Sequence, residues 1–111
     1  MTKDELILKL SGIEWEEFEV KEAKRELPKS IWETVSSFSN TNGGWIILGV
    51  RQNGASFEII GVENPGKLEQ DFLNALRSNK FNVPVATQQE IFRFGTTTVL
   101  AFFIPVNRSQ S

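Results

Sequence analysis

The stretch SFSNTNGGWIILGV, residues 37–50, decides how the rest of the sequence is interpreted. It begins as the end of a helix, because Ile31, Val35 and Phe38 recur at helical spacing and share one apolar face. It then passes through a polar hinge, residues 40–44, and continues as the apolar run 45–50. A short run rich in β-branched residues is typical of a strand covered on both faces. The stretch therefore predicts a helix, a hinge and the middle strand of a sheet.

The hinge residues Asn40, Thr41, Gly43 and Gly44 are candidates for ligand contact. A phosphate cradle uses backbone N–H groups at a helix N-terminus, where the helix dipole favours an anion. This hinge follows a helix C-terminus, where carbonyl groups are exposed and the partial charge is negative. We therefore expect a structural hinge, in which one glycine ends the helix and the other permits a close backbone approach. Direct ligand contact is the less favoured alternative.

Caps, turns and periodicity divide the rest of the chain into helices and strands. A capping-box pattern at Thr2 and Glu5 begins a helix that ends near Gly12, and prolines at 28 and 65 suit the first turns of two more helices. Strands are predicted over 15–21, 45–50, 57–62, 85–94 and 97–106, with antiparallel hairpins over 45–62 and 85–106. The expected fold class is α+β, a mixed sheet of about five strands with two to three helices packed on one side.

Composition narrows the possible functions. The chain has 111 residues, which fit one domain, 1–111. It contains no Cys, His or Tyr, which removes thiol nucleophiles, Ser-His-Asp triads and the usual zinc ligands. Neither a cofactor nor a metal is implied, and we expect a cytoplasmic protein because no run is long and apolar enough for a membrane span. The net charge of −2 means that any surface for a nucleic acid has to be local.

Four segments of the sequence resemble one known family. They are FEVK at 18–21, VSSFSNTNGG at 35–44, ILGV at 47–50 and IGV at 60–62. Their order and spacing resemble the Schlafen AlbA-type DNA-binding domain, which has a Glu-x-Lys strand, a helix ending in Asn-Thr-x-Gly-Gly, and two Gly-Val pairs separated by a hairpin. The resemblance implies an α+β fold similar to that of the archaeal chromatin protein Alba, which binds nucleic acid as a dimer. It also implies the N-terminal part of a longer bacterial transcriptional regulator that binds DNA rather than RNA.

Phosphate contacts are expected from the basic stretch around 21–29. Lys21, Lys24, Arg25 and Lys29 lie within nine residues, and Arg51 follows the central strand. No aromatic residue interrupts this stretch, so contacts to phosphates are favoured over stacking on bases. A solvated connector that binds nothing is the alternative. Arg77 and Lys80 would widen the basic surface if the fold brought them close.

Two other functions compete with binding. Schlafen relatives that cleave RNA resemble this chain at Glu14 and Glu19 and carry a further carboxylate after the central Gly-Val, where this chain has Arg51. A guanidinium there would repel a divalent metal, so no catalytic activity is expected. The second alternative is a protein-interaction or homodimerisation module, because aromatic residues make up 11% of the chain and Trp15 and Trp32 are candidates for an interface.

Overall fold

The computed structural model describes residues 1–12, 17–78 and 87–106. Within them the chain forms three helices and six strands, which are α1 (Lys3–Leu10), β1 (Phe18–Lys21), α2 (Ile31–Asn40), β2 (Gly44–Leu48), β3 (Val50–Asn53), β4 (Ser56–Ile59), α3 (Pro65–Arg77), β5 (Gln88–Phe94) and β6 (Thr97–Ile104). The Thr2 and Glu5 capping box begins α1, and Asn64 caps α3 ahead of Pro65. The α+β class is confirmed. The strand residues expected at 15–16 and 85–86 lie outside the described residues. None of the described helices is long and apolar enough to cross a membrane.

The main sheet has four strands in the order β1-β2-β6-β5. β1 and β2 are parallel, with Lys21 opposite Leu48, and the other two pairings are antiparallel. Every residue of β2 is buried, as the uninterrupted apolar run predicts for a strand covered on both faces. α2 connects β1 to β2, so this part of the fold is a β-α-β unit whose two strands have their carboxyl ends at the same edge of the sheet.

Two clusters of buried apolar side chains cover the two faces of the main sheet. α2 and α3 contribute Val35, Phe38, Leu68 and Phe72 to the cluster on one face. α1 lies on the other face, where Leu6 packs with residues that include Trp45, Ile47, Val50 and Phe92. The expectation that all helices share one side is therefore wrong for α1. The apolar stripe of α1 does not show which face of the sheet the helix covers. Because successive side chains of β2 point to opposite faces, the main sheet has a second apolar face that has to be covered.

The hairpin expected over 45–62 is shorter than its sequence pattern and lies outside the main sheet. β3 pairs only with β4, from Val50 opposite Ile59 to Asn53 opposite Ser56, as a separate two-stranded sheet. β2 pairs instead with β1 and β6. The apolar run 45–50 is divided at Gly49, whose φ of +103° ends one strand before the next begins. The strands therefore number six in two sheets within the described ranges.

Two glycines hold the base of this hairpin together. The carbonyl oxygen of Gly49 accepts hydrogen bonds from the amides of Ile60 at 2.9 Å and Gly61 at 2.8 Å. A Cβ on Gly61 would clash with the Thr97 methyl group, and one on Gly49 would lie 3.1 Å from the Gly61 carbonyl carbon. The two Gly-Val pairs in the sequence thus mark the points where the chain leaves the main sheet and returns to it.

Replacing Gly61 with Ala is expected to lower the free energy of unfolding by about 3 kcal/mol, since a positive φ and overpacking both penalise the new Cβ. Gly54→Ala is the matched control, because Gly54 also has a positive φ, +60°, but a Cβ on it would meet no atom within 4 Å. Gly54→Ala should lower the free energy of unfolding by only about 1 kcal/mol. Urea denaturation measures both, and equal losses would contradict the proposed close packing at Gly61.

Candidate functional site

The predicted basic residues lie at the edge of the sheet formed by the carboxyl ends of β1 and β2. Lys21 is the last residue of β1, and Lys24, Arg25 and Lys29 lie on the segment 22–30 that leads to α2, called here the connector. Arg51 lies on β3, just past the end of β2. Its guanidinium reaches back to the connector at Glu22, with 3.0 Å between Nη2 and Oε1. The fold therefore brings the five cations to one edge.

Acidic side chains accompany both arginines of this edge. Arg51 pairs with Glu22 and, at 3.7 Å, with Glu58 of the hairpin. The hydrogen bond from Arg51 lowers the pKa of Glu22, and the same hydrogen bond raises the pKa of Arg51. Arg25 donates from Nε to Glu63 at 3.0 Å, although 78% of the Arg25 side chain stays exposed. The positive charge of this edge is thus largely balanced by carboxylates.

Lys21 is built into the wall of a cleft between β1 and α2. Only 13% of its side chain is exposed, and its ammonium donates to Ser30 Oγ and pairs with Glu19, both at 2.9 Å. The Thr34 hydroxyl donates to Glu19 Oε2 at 2.5 Å, the same oxygen that pairs with Lys21. The cleft encloses about 280 Å³, and Phe38 contributes to its lining. Burial raises the pKa of Glu19, but hydrogen bonds from Thr34 and Lys21 outweigh it and leave that pKa lowered.

Lys24 and Lys29 are the most available cations of the five. Both side chains are exposed, and within residues 1–12, 17–78 and 87–106 neither forms an ion pair. Lys24 also borders a groove of about 270 Å³, called here the Lys24 groove, which lies between the connector and the turn that joins β5 to β6. The connector therefore presents two cations that can meet an external anion without first losing a carboxylate partner.

The glycine hinge lies at the opposite edge of the sheet, because it precedes β2 while the connector follows β1, its parallel neighbour. The Gly43 amide donates to the Phe38 carbonyl at 2.8 Å. Gly43 has a φ of +75°, and a Cβ there would lie 2.7 Å from the Ile104 carbonyl oxygen. A Cβ on Gly44 would lie 2.8 Å from the Phe38 ring. The absence of a side chain at both positions therefore lets α2 end and β2 begin in close contact with neighbouring atoms.

The other hinge residues are on the surface. Asn40 and Thr41 are exposed, and the Thr41 hydroxyl donates to the Ser37 carbonyl at 2.7 Å. This bond satisfies one of the carbonyls left over at the end of α2. The hinge geometry is that of a helix stop.

The residues behind the two rival functions are not brought together among those described. Glu14, Trp15 and Lys80 lie outside the described residues. In the ranges that the structure covers, no three acidic side chains form a group that could hold a metal. Trp32 is partly buried and stacks on Phe72, with ring centroids 5.5 Å apart, so it packs against the core. Arg77, expected to widen the basic surface, is the last residue of α3. It lies about 20 Å along the helix from the start of α3, which is beside the connector.

Sequence reasoning missed the carboxylate partners that come from outside the connector, Glu58 and Glu63. Glu22 follows β1 and Arg51 follows β2, so recognising the strands as parallel neighbours would have placed these two side chains together. Glu63 lies 38 positions from Arg25, and no local pattern links them.

Thr34→Val is expected to cost about 1 kcal/mol of unfolding free energy at pH 7, because Glu19 is half exposed and solvent weakens its hydrogen bond. The folded pKa of Glu19 lies below its ordinary value of 4.5, so this stabilisation is present above that pH and is lost as pH falls through the folded pKa. The difference from the parent should therefore shrink in acid. Ser37→Ala, from the same cleft, should show no such dependence on pH. A loss that is constant with pH would assign Thr34 a packing role only.

Comparison with known proteins places the chain in a family. A solved structure with the same fold is the solution NMR structure of the N-terminal domain of a protein named as putative ATP-dependent DNA helicase RecG-related, from Nitrosomonas europaea. The two chains are 26% identical, with a TM-score of 0.72, and the similarity covers 92% of this chain and 71% of the other. No curated protein sequence matches significantly. The family model for Schlafen, AlbA_2 matches residues 14–111. This chain belongs to the Schlafen AlbA_2 family.

Proposed function

We propose that this chain is a non-catalytic nucleic-acid-binding domain that contacts the phosphates of DNA through its connector. The observation that carries the proposal is the exposure of Lys24, Arg25 and Lys29 on one segment, at the carboxyl ends of two parallel strands. Crevices at the carboxyl ends of strands are common ligand sites in folds with β-α-β units. Membership of the Schlafen AlbA_2 family supports this proposal, as does the DNA-helicase-related name of the similar N-terminal domain.

The charge balance of this edge defines the expected mode of binding. Lys21 is mostly buried and Arg51 contacts two carboxylates, so we assign them to structure. Lys24 and Lys29 are left for phosphate contact, together with Arg25, whose ion pair with Glu63 leaves 78% of its side chain exposed. Few contacts of this kind give weak binding that is readily lost in salt and is insensitive to base sequence. Such a domain suits a longer regulator, bacterial in our proposal, in which other segments supply sequence specificity.

Homodimerisation has less support than DNA binding. The interface hypothesis depends on surplus aromatic rings, but Trp32 is partly buried against Phe72 of the core and Trp45 is only 4% exposed. The large apolar side chains exposed among the described residues are instead Ile7, Leu8 and Ile91. They lie on α1 and β5 rather than on the connector.

Replacing Lys24 and Lys29 together with Ala should weaken binding to duplex DNA equally for unrelated sequences. The slope of log affinity against log salt should fall in magnitude by about 1.8, since each phosphate contact contributes about 0.9. Fluorescence anisotropy at several salt concentrations measures the slope. The control variant, Lys3→Ala with Arg77→Ala, removes the same charge from α1 and the far end of α3. Equal slopes for the two variants, or no binding by the parent at low salt, would contradict the proposal.

The absence of catalysis is tested with structured RNA. Neither the parent nor Glu19→Gln is expected to cleave it with magnesium or manganese. Glu19 is already held by Lys21 and Thr34, and the position of a third carboxylate is occupied by Arg51. Gel analysis over several hours detects cleavage. Products from the parent that Glu19→Gln fails to form would establish nuclease activity instead.

A further inference from the structure

The Lys24 groove offers anion-binding groups that the rest of the fold leaves unused. Its lining includes Lys24, the chain segment 60–63, and Thr96 and Thr97 of the β5–β6 turn and the start of β6. Neither threonine hydroxyl hydrogen-bonds to another described residue, and Lys24 forms no ion pair there. Lys24, Thr96 and Thr97 therefore border the same space, and their side-chain donors are not committed to an ion pair or hydrogen bond with another described residue.

The backbone amides of residues 61–63, which line the groove, already have hydrogen-bond acceptors. The amide of Gly61 donates to Gly49 at 2.8 Å, that of Val62 to Thr98 at 2.9 Å, and that of Glu63 to Lys24 at 2.7 Å. These bonds fix the segment 60–63 between the connector and β6. They also leave the recognition of a ligand to side chains, with Lys24 supplying the charge and the threonines supplying directional donors.

One wall of the groove carries a negative charge, which repels an anion. Glu63 lines the groove, and its carboxylate is held by Arg25 through a single hydrogen bond of 3.0 Å. Both side chains of this pair are substantially exposed, so the attraction is screened by water and salt. Glu63 thus places a negative charge beside Lys24 and also occupies Arg25, the connector cation that forms an ion pair within the described ranges.

We infer that the Lys24 groove holds a phosphate group of a nucleic-acid backbone, with Lys24, Thr96 and Thr97 as donors, and that Glu63 limits the affinity. This inference rests on the proposed function and extends it. It adds two contact residues from a distant part of the sequence, Thr96 and Thr97, and one residue that weakens binding, Glu63. The groove joins the connector to the β5–β6 turn, so the bound strand lies across the edge of the main sheet.

The inference predicts a gain of affinity from losing a carboxylate. Glu63→Gln should bind duplex DNA about threefold more tightly than the parent at low salt, the effect of one unit charge at several ångströms across water. The gain should fade as salt rises. The matched control is Glu69→Gln, which changes the same charge on α3 outside the groove. It should change affinity much less.

A second variant tests the hydroxyls without changing the charge. Thr96→Val with Thr97→Val keeps the side-chain shape, including the methyl group beside Gly61, and should weaken DNA binding about fivefold. Thr98→Val is its control, because Thr98 does not line the groove. Circular dichroism and thermal unfolding of each variant confirm that the fold is retained.

The outcomes separate this inference from the proposed function. If Lys24 and Lys29 matter but Glu63→Gln behaves as Glu69→Gln does, and the threonine variant binds as the parent does, the groove assignment is wrong and the function stands. If the parent binds no DNA, both fail. Saturation by inorganic phosphate without any binding of DNA would identify a free anion as the ligand and overturn the backbone assignment.

Discussion

The carbonyl oxygen of Gly49 accepts amide hydrogens from both Ile60 and Gly61, and this contact fixes where the chain leaves β2 and where it comes back beside it. β2 is buried on both faces and paired on both edges, so the chain has to leave the sheet abruptly at its end. A Cβ at Gly49 would lie 3.1 Å from the Gly61 backbone, and a Cβ at Gly61 would clash with the Thr97 methyl group of β6, so glycine at both positions lets the two backbones approach closely. Their close approach lets the segment 60–63 run between the connector and β6, and in doing so it builds the Lys24 groove.

Local signals in the sequence were sufficient for the elements and the fold class. The capping box at Thr2, the proline that begins α3, and the apolar run 45–48 each act within a few residues, so their physical meaning can be read from the sequence. The same signals failed at Gly49. An apolar run does not reveal that one of its residues has a positive φ, and so β2 and β3 were merged into one strand of a hairpin.

The candidate site was only half predictable, for a related reason. The cations cluster along the chain, and their clustering on the surface follows from β1, the connector and the parallel pairing of β1 with β2. Two of their counterions, Glu19 and Glu22, lie beside them in the sequence, but the other two come from elsewhere, Glu58 from the hairpin and Glu63 from its return. Formal charge counted along the connector therefore overstated the positive potential. The threonines of the groove come from the β5–β6 turn and the start of β6, and no sequence pattern links them to Lys24.

The β3–β4 hairpin has both of its ends fixed at a single point. Because one carbonyl oxygen holds the departing and the returning chain together, the residues between them form a closed excursion that adds nothing to the register of the main sheet. The exposed residues 51–56 of this excursion can change in number or in charge without displacing β2 or β6, whereas Val50, Phe57 and Ile59 pack in the cluster around Leu6 and are held in place. The hairpin also carries Arg51 and Glu58, so the electrostatics of this edge can change independently of the scaffold that supports it.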